Sequence, residues 1–201
     1  MKIVLATANK NKIREIKEKF SSLGKLNISS FEELKNIPEV EENAPTFEGN
    51  ALIKAKAICN FTGFPAMADD SGLVIDALNG EPGVYSARYG GANLSDMEKN
   101  SLVLSKMKNL HKEERSARFI CAIALVFPDG KTYTVQGECQ GIICNAPIGN
   151  NGFGYDPIFY IPELKKTMAQ LSPDEKNRIS HRGKAIEKIY GILKDILENK
   201  L

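Results

Sequence analysis

The chain has 201 residues, of which 42% are hydrophobic and 26% charged. That composition excludes a disordered chain, and the length allows one large domain with a sizeable core. Lys and Arg number 27 against 25 Asp and Glu, a net charge of +2, which gives no electrostatic case for binding a nucleic-acid polymer or a membrane surface.

The four cysteines, Cys59, Cys121, Cys139 and Cys144, form no C-x-x-C pair, and only two histidines are present. A structural zinc site is therefore not expected. Cys59 and Cys121 lie in apolar surroundings and read as buried thiols. No stretch has the length of a membrane-spanning helix, and the N-terminus enters a strand without an apolar leader, so a cytoplasmic protein is expected.

In chain order, "KIVLA" reads as a buried strand. Ile13, Ile16, Phe20 and Leu23 then recur at helical spacing, with Gly24 as a stop. "LNISSF" is a candidate second strand, and "NIPEVEENAPT" a polar loop. Thr46 is placed to cap a helix whose apolar face is Phe47, Ala51, Leu52, Ala55, Ile58 and Phe61, ending at Gly63. "PAMADDSGLVIDAL" reads as a strand that enters a turn and leaves as another strand. Ser95 caps a helix to about Lys108.

"ARFICAIALVF" and "KTYTVQGECQGIIC", joined by Asp129-Gly130, form a long hairpin. "NAPIGNNGFGYDPIF" is a Gly/Asn/Pro-rich loop. Ser172, Pro173 and Glu175 make a capping box. The last helix starts near Arg182, with a stripe of Ile186, Ile189, Leu193, Ile196 and Leu197. Strand–helix–strand–helix followed by a hairpin predicts an α/β fold with a mixed sheet, in one domain spanning residues 1–201.

Several segments carry chemistry. "VLATANKNKIREI" runs from strand to helix, which places backbone N–H groups and the positive end of a helix dipole at the turn. Thr7 and Asn9 can add hydrogen bonds and Lys12 a charge, a combination suited to phosphate. The turn lacks the glycine spacing of a P-loop, and an ordinary polar turn capped by Thr7 or Asn9 uses the same residues. In "ADDSG", Asp69 and Asp70 point to opposite faces if extended. A carboxylate there can hold Mg²⁺ or accept a proton, or simply belong to an Asp-Ser-Gly turn. Glu39, Glu41 and Glu42 gain meaning only if the fold brings one beside Asp70. Phe153, Tyr155 and Asp156 sit among glycines, where an aromatic can stack on a base and exposed N–H groups or Asp156 can read its edge. Lys176, His181 and Arg182 can bind phosphate or donate to a carbonyl.

Five segments together closely resemble the inosine triphosphate pyrophosphatase family, also described as XTP/dITP diphosphatases: "LATANKNKIREI", "TFEGNALIKAKA", "ADDSGLVIDALNGEPGVYSARYGG", "GFGYDPIF" and "LSPDEKNRISHRGKA". They occur in the family's order over nearly the whole chain. The resemblance implies an α/β fold, a long mixed twisted sheet with flanking helices, and two lobes around a deep nucleotide-binding cleft. It implies Mg²⁺-dependent hydrolysis of ITP, dITP and XTP to the monophosphate and pyrophosphate by a homodimer. Carried over by position, Thr7, Asn9 and Lys12 would bind the triphosphate. Asp70 would be metal ligand and proton acceptor, with Asp69 able to share that work, and Ser71 would touch substrate. Glu42 would be the second metal ligand, with Glu41 as the alternative. Phe153, Gly154, Tyr155 and Asp156 would form part of the base pocket, and Lys176, His181 and Arg182 would complete the site. The family's T-G-N-x-G-K appears here with Ala8 and Asn11 in place of both glycines, which makes the turn geometry the open question. A pyrophosphatase for modified pyrimidine nucleotides and a non-catalytic nucleotide sensor are the rival readings. "FGYD" and "SHRG" favour the purine enzyme over the first, and the metal and base set argues against the second.

Overall fold

The computed structural model describes residues 1–24, 26–30 and 39–199. Phe31 of the second expected strand and residues 36–38 of the polar loop lie outside the described residues. In chain order the elements are β1 (Lys2–Leu5), α1 (Lys10–Phe20), β2 (Asn27–Ser30), α2 (Phe47–Thr62), β3 (Ala66–Ile75) and α3 (Asp96–Lys106). Then follow β4 (Ser116–Val126), β5 (Thr132–Ile143), β6 (Phe159–Ile161), β7 (Lys166–Thr167), α4 (Pro173–Ile179) and α5 (His181–Leu197). Among the described residues seven strands form one sheet in the order β2-β1-β3-β4-β5-β6-β7. β1 is parallel to β2 and β3, while β6 is antiparallel to β5 and β7, so the sheet is mixed, as the element order predicts.

The chain divides into two compact units. The first holds Met1–Asp70, Cys121–Gly137 and the chain from Lys184 on; the second holds Ser71–Ile120 and Glu138–Gly183. In the first unit side-chain parity sorts the core. Ile3, Leu5, Met67, Ile123 and Leu125 pack against Ile16 and Phe20 of α1 and Ile186, Ile189 and Leu193 of α5. Their neighbours Val4, Ala6, Ala66, Ala68, Ala124 and Val126 pack on the other face against Ala51, Ala55, Ile58 and Cys59 of α2. Alternate residues of a strand face opposite sides of the sheet, and helices cover both sides here, so these strands read as unbroken apolar runs. The α2 side is mostly alanine, which lets that helix lie close to the strands.

The second unit has its own core. Leu73, Ile75, Phe119, Ile143 and Phe159 from strands meet Val103 of α3 and Met107 just beyond its end. Arg115 is buried there, and its guanidinium donates to the carbonyls of Met107, Ile143 and Cys144, tying the end of α3 to the β4–β5 hairpin.

Several expectations hold in detail. Thr46 Oγ1 accepts the Gly49 N–H, and Gly63 closes α2 at φ +68°. Ser95–Glu98 and Ser172–Glu175 are reciprocal capping boxes. The hairpin turns through Gly130 at φ +90°, with Phe127 N–H donating to Lys131 O.

Other details differ. β3 runs straight through Asp69, Asp70 and Ser71 rather than turning. Buried residues on both sides of the polar triplet hold it extended, and its carboxylates find cations, so no turn is needed to return them to water. α1 ends at Phe20, four residues before Gly24, where the Ser21 N–H still reaches Lys17 O. Phe61 is 46% exposed; Cys59 takes the buried position instead. β6 and β7, of three and two residues, are too short to show a periodicity.

Candidate active site

In the first unit the loop from β1 to α1 forms without its family glycines. Asn9 is the N-cap of α1, and its Oδ1 accepts the N–H groups of Asn11 and Lys12. Thr7 Oγ1 accepts the Asn9 N–H at 3.2 Å. Among the described residues positive φ occurs outside glycine only at Asn79, Lys165 and Asn199, so neither Ala8 nor Asn11 needs it. This answers the geometry question: a side-chain cap replaces the glycine turn.

The parity of β3 then separates the two aspartates. Asp69 lies on the Met67 face, toward α1, and its Oδ2 meets Lys12 Nζ at 2.9 Å and the Cys121 thiol at 3.9 Å. Asp70 lies on the face of Ala66 and Ala68, toward α2. Asn50 Nδ2 donates to its Oδ2 at 3.2 Å, and Lys54 Nζ stands 3.3 Å from its Oδ1. Lys54 Nζ also donates to Glu42 Oε2 at 2.7 Å. Asn50 Oδ1 accepts the Ala44 N–H, which ties the Glu42 loop to α2. The fold thus brings Glu42 and Asp70 to one ammonium, while Glu41 is exposed.

One cation serves two carboxylates, and the electrostatics reflect it. Burial pushes the Asp70 carboxyl above its ordinary range, Lys54 opposes this, and Glu42 adds to it. Lys54 is held above its ordinary value: burial, the largest influence, works against its charge, and Asp70, Glu42 and Asp69 together outweigh it. A pair of hard oxygen donors with one positive charge between them is a chemically suitable seat for a divalent cation, which commonly takes one or two carboxylates plus substrate oxygens. No group of three or more His, Cys, Asp or Glu residues that could hold a metal ion comes together among the described residues.

Asn50 and Lys54 were missed by the sequence reading. The signal was present: Asn50 and Lys54 stand four apart and so lie one above the other on the same face of α2.

In the second unit Ser71, Phe153, Gly154, Tyr155, Asp156, Lys176, His181 and Arg182 are held as follows. Arg182 Nη2 donates to Ser71 Oγ at 2.9 Å. Asp156 Oδ2 accepts from Lys176 Nζ at 2.5 Å and from the Phe153 N–H at 2.9 Å. Burial pushes the Asp156 carboxyl up, and Lys176 pulls against it. Lys176 Nζ lies 4.6 Å from the centre of the Phe153 ring and the Arg182 guanidinium 5.5 Å from it. The His181 imidazole stacks on Phe119, ring centres 4.7 Å apart and planes 15° from parallel.

Within the loop the Phe153 N–H donates to Asp156, the Gly154 N–H to Asp96, and the Tyr155 hydroxyl to Ser86 O. Tyr155 is part of the core. The Phe153 ring is half-buried.

The profile of the Ham1 family matches residues 3–192. The chain belongs to the Ham1 family. This Ham1-family chain is 50% identical over 196 residues to a dITP/XTP pyrophosphatase of Geobacter sulfurreducens, covering 98% of this chain and 96% of that one. It is 48% identical over 195 residues to a dITP/XTP pyrophosphatase of Thermus thermophilus, covering 97% and 93%. Among solved structures, a HAM1 protein from Coxiella burnetii superposes with a TM-score of 0.91 at 43% identity, over 97% of this chain and 99% of that one. The Staphylococcus aureus Ham1 protein gives 0.89 at 43% identity, over 96% and 98%. The expected family and α/β fold are therefore both borne out. Among the described residues no helix is long and apolar enough to cross a membrane.

Proposed function

We propose that this Ham1-family chain hydrolyses dITP, ITP and XTP to the monophosphate and pyrophosphate, and so removes these non-standard purine nucleotides from the nucleotide pool. The observation that carries the chemistry is the Glu42–Lys54–Asp70 cluster, two carboxylates converging on one cation at a point where β3, α2 and a loop meet. Its relatives' activity on dITP and XTP supports the substrate class.

Glu42 and Asp70 would hold Mg²⁺, which supplies Lewis-acid neutralisation of the phosphate oxygens when bound. Asp70, whose carboxyl burial makes more basic, accepts the proton of the water that attacks the α-phosphorus. The bond from that phosphorus to its bridging oxygen breaks, and pyrophosphate leaves. Asp69 does not share the base role in this reading: it is buried and holds Lys12, which with Thr7 and Asn9 meets the triphosphate. Lys12 keeps two further ammonium protons for phosphate. Preorganised positive charge is the main source of rate in phosphoryl transfer.

On the second unit Phe153 stacks on the base, while Ser71, Lys176, His181 and Arg182 contact the nucleotide. His181 and Arg182 donate toward the 6-oxo group of hypoxanthine and xanthine. Adenine has an amino donor there, and a buried donor facing a donor is costly, which gives discrimination. The reading also places the enzyme in the cytoplasm as a homodimer, for which sedimentation at twice the chain mass is the check.

The test is pyrophosphate release from a panel of ITP, dITP, XTP, GTP, ATP and CTP with and without Mg²⁺. Release from the first three, only with Mg²⁺, is expected. Asp70→Asn keeps the shape but not the charge and should lower turnover by orders of magnitude. Equal turnover of all six nucleotides, or an active Asp70→Asn, would refute the assignment.

A further inference from the structure

We propose that Asp96 and Asn100 of α3 are positioning residues for purine recognition, acting by holding the N–H and the C=O of Gly154. The inference rests on the pyrophosphatase reading above. The Gly154 N–H donates to Asp96 Oδ2 at 2.7 Å, and Asn100 Nδ2 donates to Gly154 O at 3.1 Å. One helix therefore holds both hydrogen-bonding groups of one residue. The two side chains are four positions apart on α3 and so lie on one face.

Neither residue is the cap of the helix. The N-terminus of α3 is already capped by Ser95, whose Oγ accepts the Glu98 N–H while Glu98 accepts from the Ser95 N–H. Among the described residues Asp96 also meets Lys99, three positions on, at 3.7 Å. Asn100 is buried on a helix whose Val103 enters the core. Its Oδ1 is buried with no hydrogen-bond partner among the described residues. An apolar side chain would avoid that orphan acceptor, which is costly to bury. What the amide gains in return is the bond to Gly154.

Gly154 is where such a grip matters. It has φ +64°, and a Cβ there would meet nothing within 4 Å, so the glycine serves the backbone conformation and not space. A glycine is also the residue with most freedom to leave that conformation. Phe153 precedes it directly and shares the 153–154 peptide with it, and the Phe153 ring lies beneath Lys176 and Arg182. Downstream, the Tyr155 hydroxyl is anchored on Ser86 O. Asp96 and Asn100 hold the glycine between these two anchors.

The test is steady-state kinetics of Asp96→Ala, Asp96→Asn and Asn100→Ala on ITP and ATP, with the melting temperature of each. The grip acts through the Phe153 loop and not on the triphosphate-binding residues Thr7, Asn9 and Lys12, so its loss weakens substrate and transition state alike. We expect Asp96→Ala and Asn100→Ala to raise KM for ITP about tenfold, the size of one lost hydrogen bond to a placed group, with kcat nearly unchanged. KM for ATP should rise by a similar factor, because stacking on Phe153 does not distinguish one base from another. Asp96→Asn keeps an acceptor oxygen and should recover most of the KM. A merely structural role would lower the melting temperature and kcat at unchanged KM, and that result would overturn the proposal. So would an unchanged KM in the exposed-site variant Asp96→Ala, which does not depend on Asn100→Ala folding. A wild-type chain that releases no pyrophosphate from ITP would overturn the pyrophosphatase reading itself and this inference with it, before any variant is compared.

Discussion

Replacing Lys176 with methionine removes the ammonium that meets Asp156 Oδ2 and leaves a carboxylate in the second unit's interior. The side chains are 11% and 4% exposed, so water can do little to compensate. Removing one partner of a buried pair costs about 3–5 kcal/mol. Two observations place this case toward the low end. Asp156 keeps the Phe153 N–H, and the Arg182 charge still favours the ionised form. Loss of the cation above the Phe153 ring adds about 0.5–1 kcal/mol. We therefore expect about 3–4 kcal/mol at neutral pH. The double variant with Asp156→Asn should recover about half of that, because no buried charge remains.

The pH dependence has a definite sign. Burial already raises the Asp156 carboxyl above its ordinary value near 3.8, and removing Lys176 raises it further. A carboxyl raised in the folded state binds protons more tightly there than in the unfolded chain. Its stabilising contribution is complete below the unfolded value and is lost as pH rises through the folded one. The variant's deficit should therefore shrink on acidification. The chain has no tryptophan, so urea denaturation followed by far-ultraviolet circular dichroism is the assay. A Lys176→Met variant within 1 kcal/mol of wild type, or one whose deficit grows as pH falls, would refute the reasoning.

Lys54→Met should destabilise the protein by about 1–3 kcal/mol by leaving Glu42 and Asp70 as facing carboxylates. Added Mg²⁺ should then raise its melting temperature more than that of wild type, and an equal response would argue against Glu42 and Asp70 as the metal seat. Gly183→Ala places a Cβ 1.8 Å from Asn177 O, where α4 gives way to α5. A loss of at least about 1–3 kcal/mol in chemical denaturation is expected, while Gly191→Ala in the same helix meets nothing and should be neutral or stabilising. Glu98 is held below its ordinary value near 4.5 by the Ser95 hydroxyl and N–H. A depressed carboxyl stabilises above its unfolded value and loses that effect as pH falls through the folded one. Glu98→Gln should keep the cap and flatten the acid limb of a melting-temperature series from pH 3 to 7; an unchanged limb would show that Glu98 does not contribute to it.

Much of this protein is written locally. The capping boxes at Ser95 and Ser172, the Thr46 cap and the Asp129-Gly130 hairpin need only near neighbours, so a linear reading finds them. The unbroken apolar runs of β1 and β4 likewise announce strands buried on both faces. The Asp-Asp-Ser triplet misleads a local reading. Taken alone it is a turn; inside β3 it is extended, because Lys12 and Lys54 arrive from helices on opposite faces of the sheet to meet it.

The sequence by itself determined the family, the α/β class, most element boundaries and the residue types a triphosphate would need. Only the tertiary structure decided which carboxylate meets which cation. Strand parity sends Asp69 toward α1 and Asp70 toward α2, and the Asn50 bond to Ala44 brings Glu42, not Glu41, to Lys54. It alone shows α3 holding Gly154. The physical reason is sequence distance: these bonds join residues from 6 to 58 positions apart. Propensity and periodicity act over a few residues, whereas such pairings exist only once packing has brought the elements together.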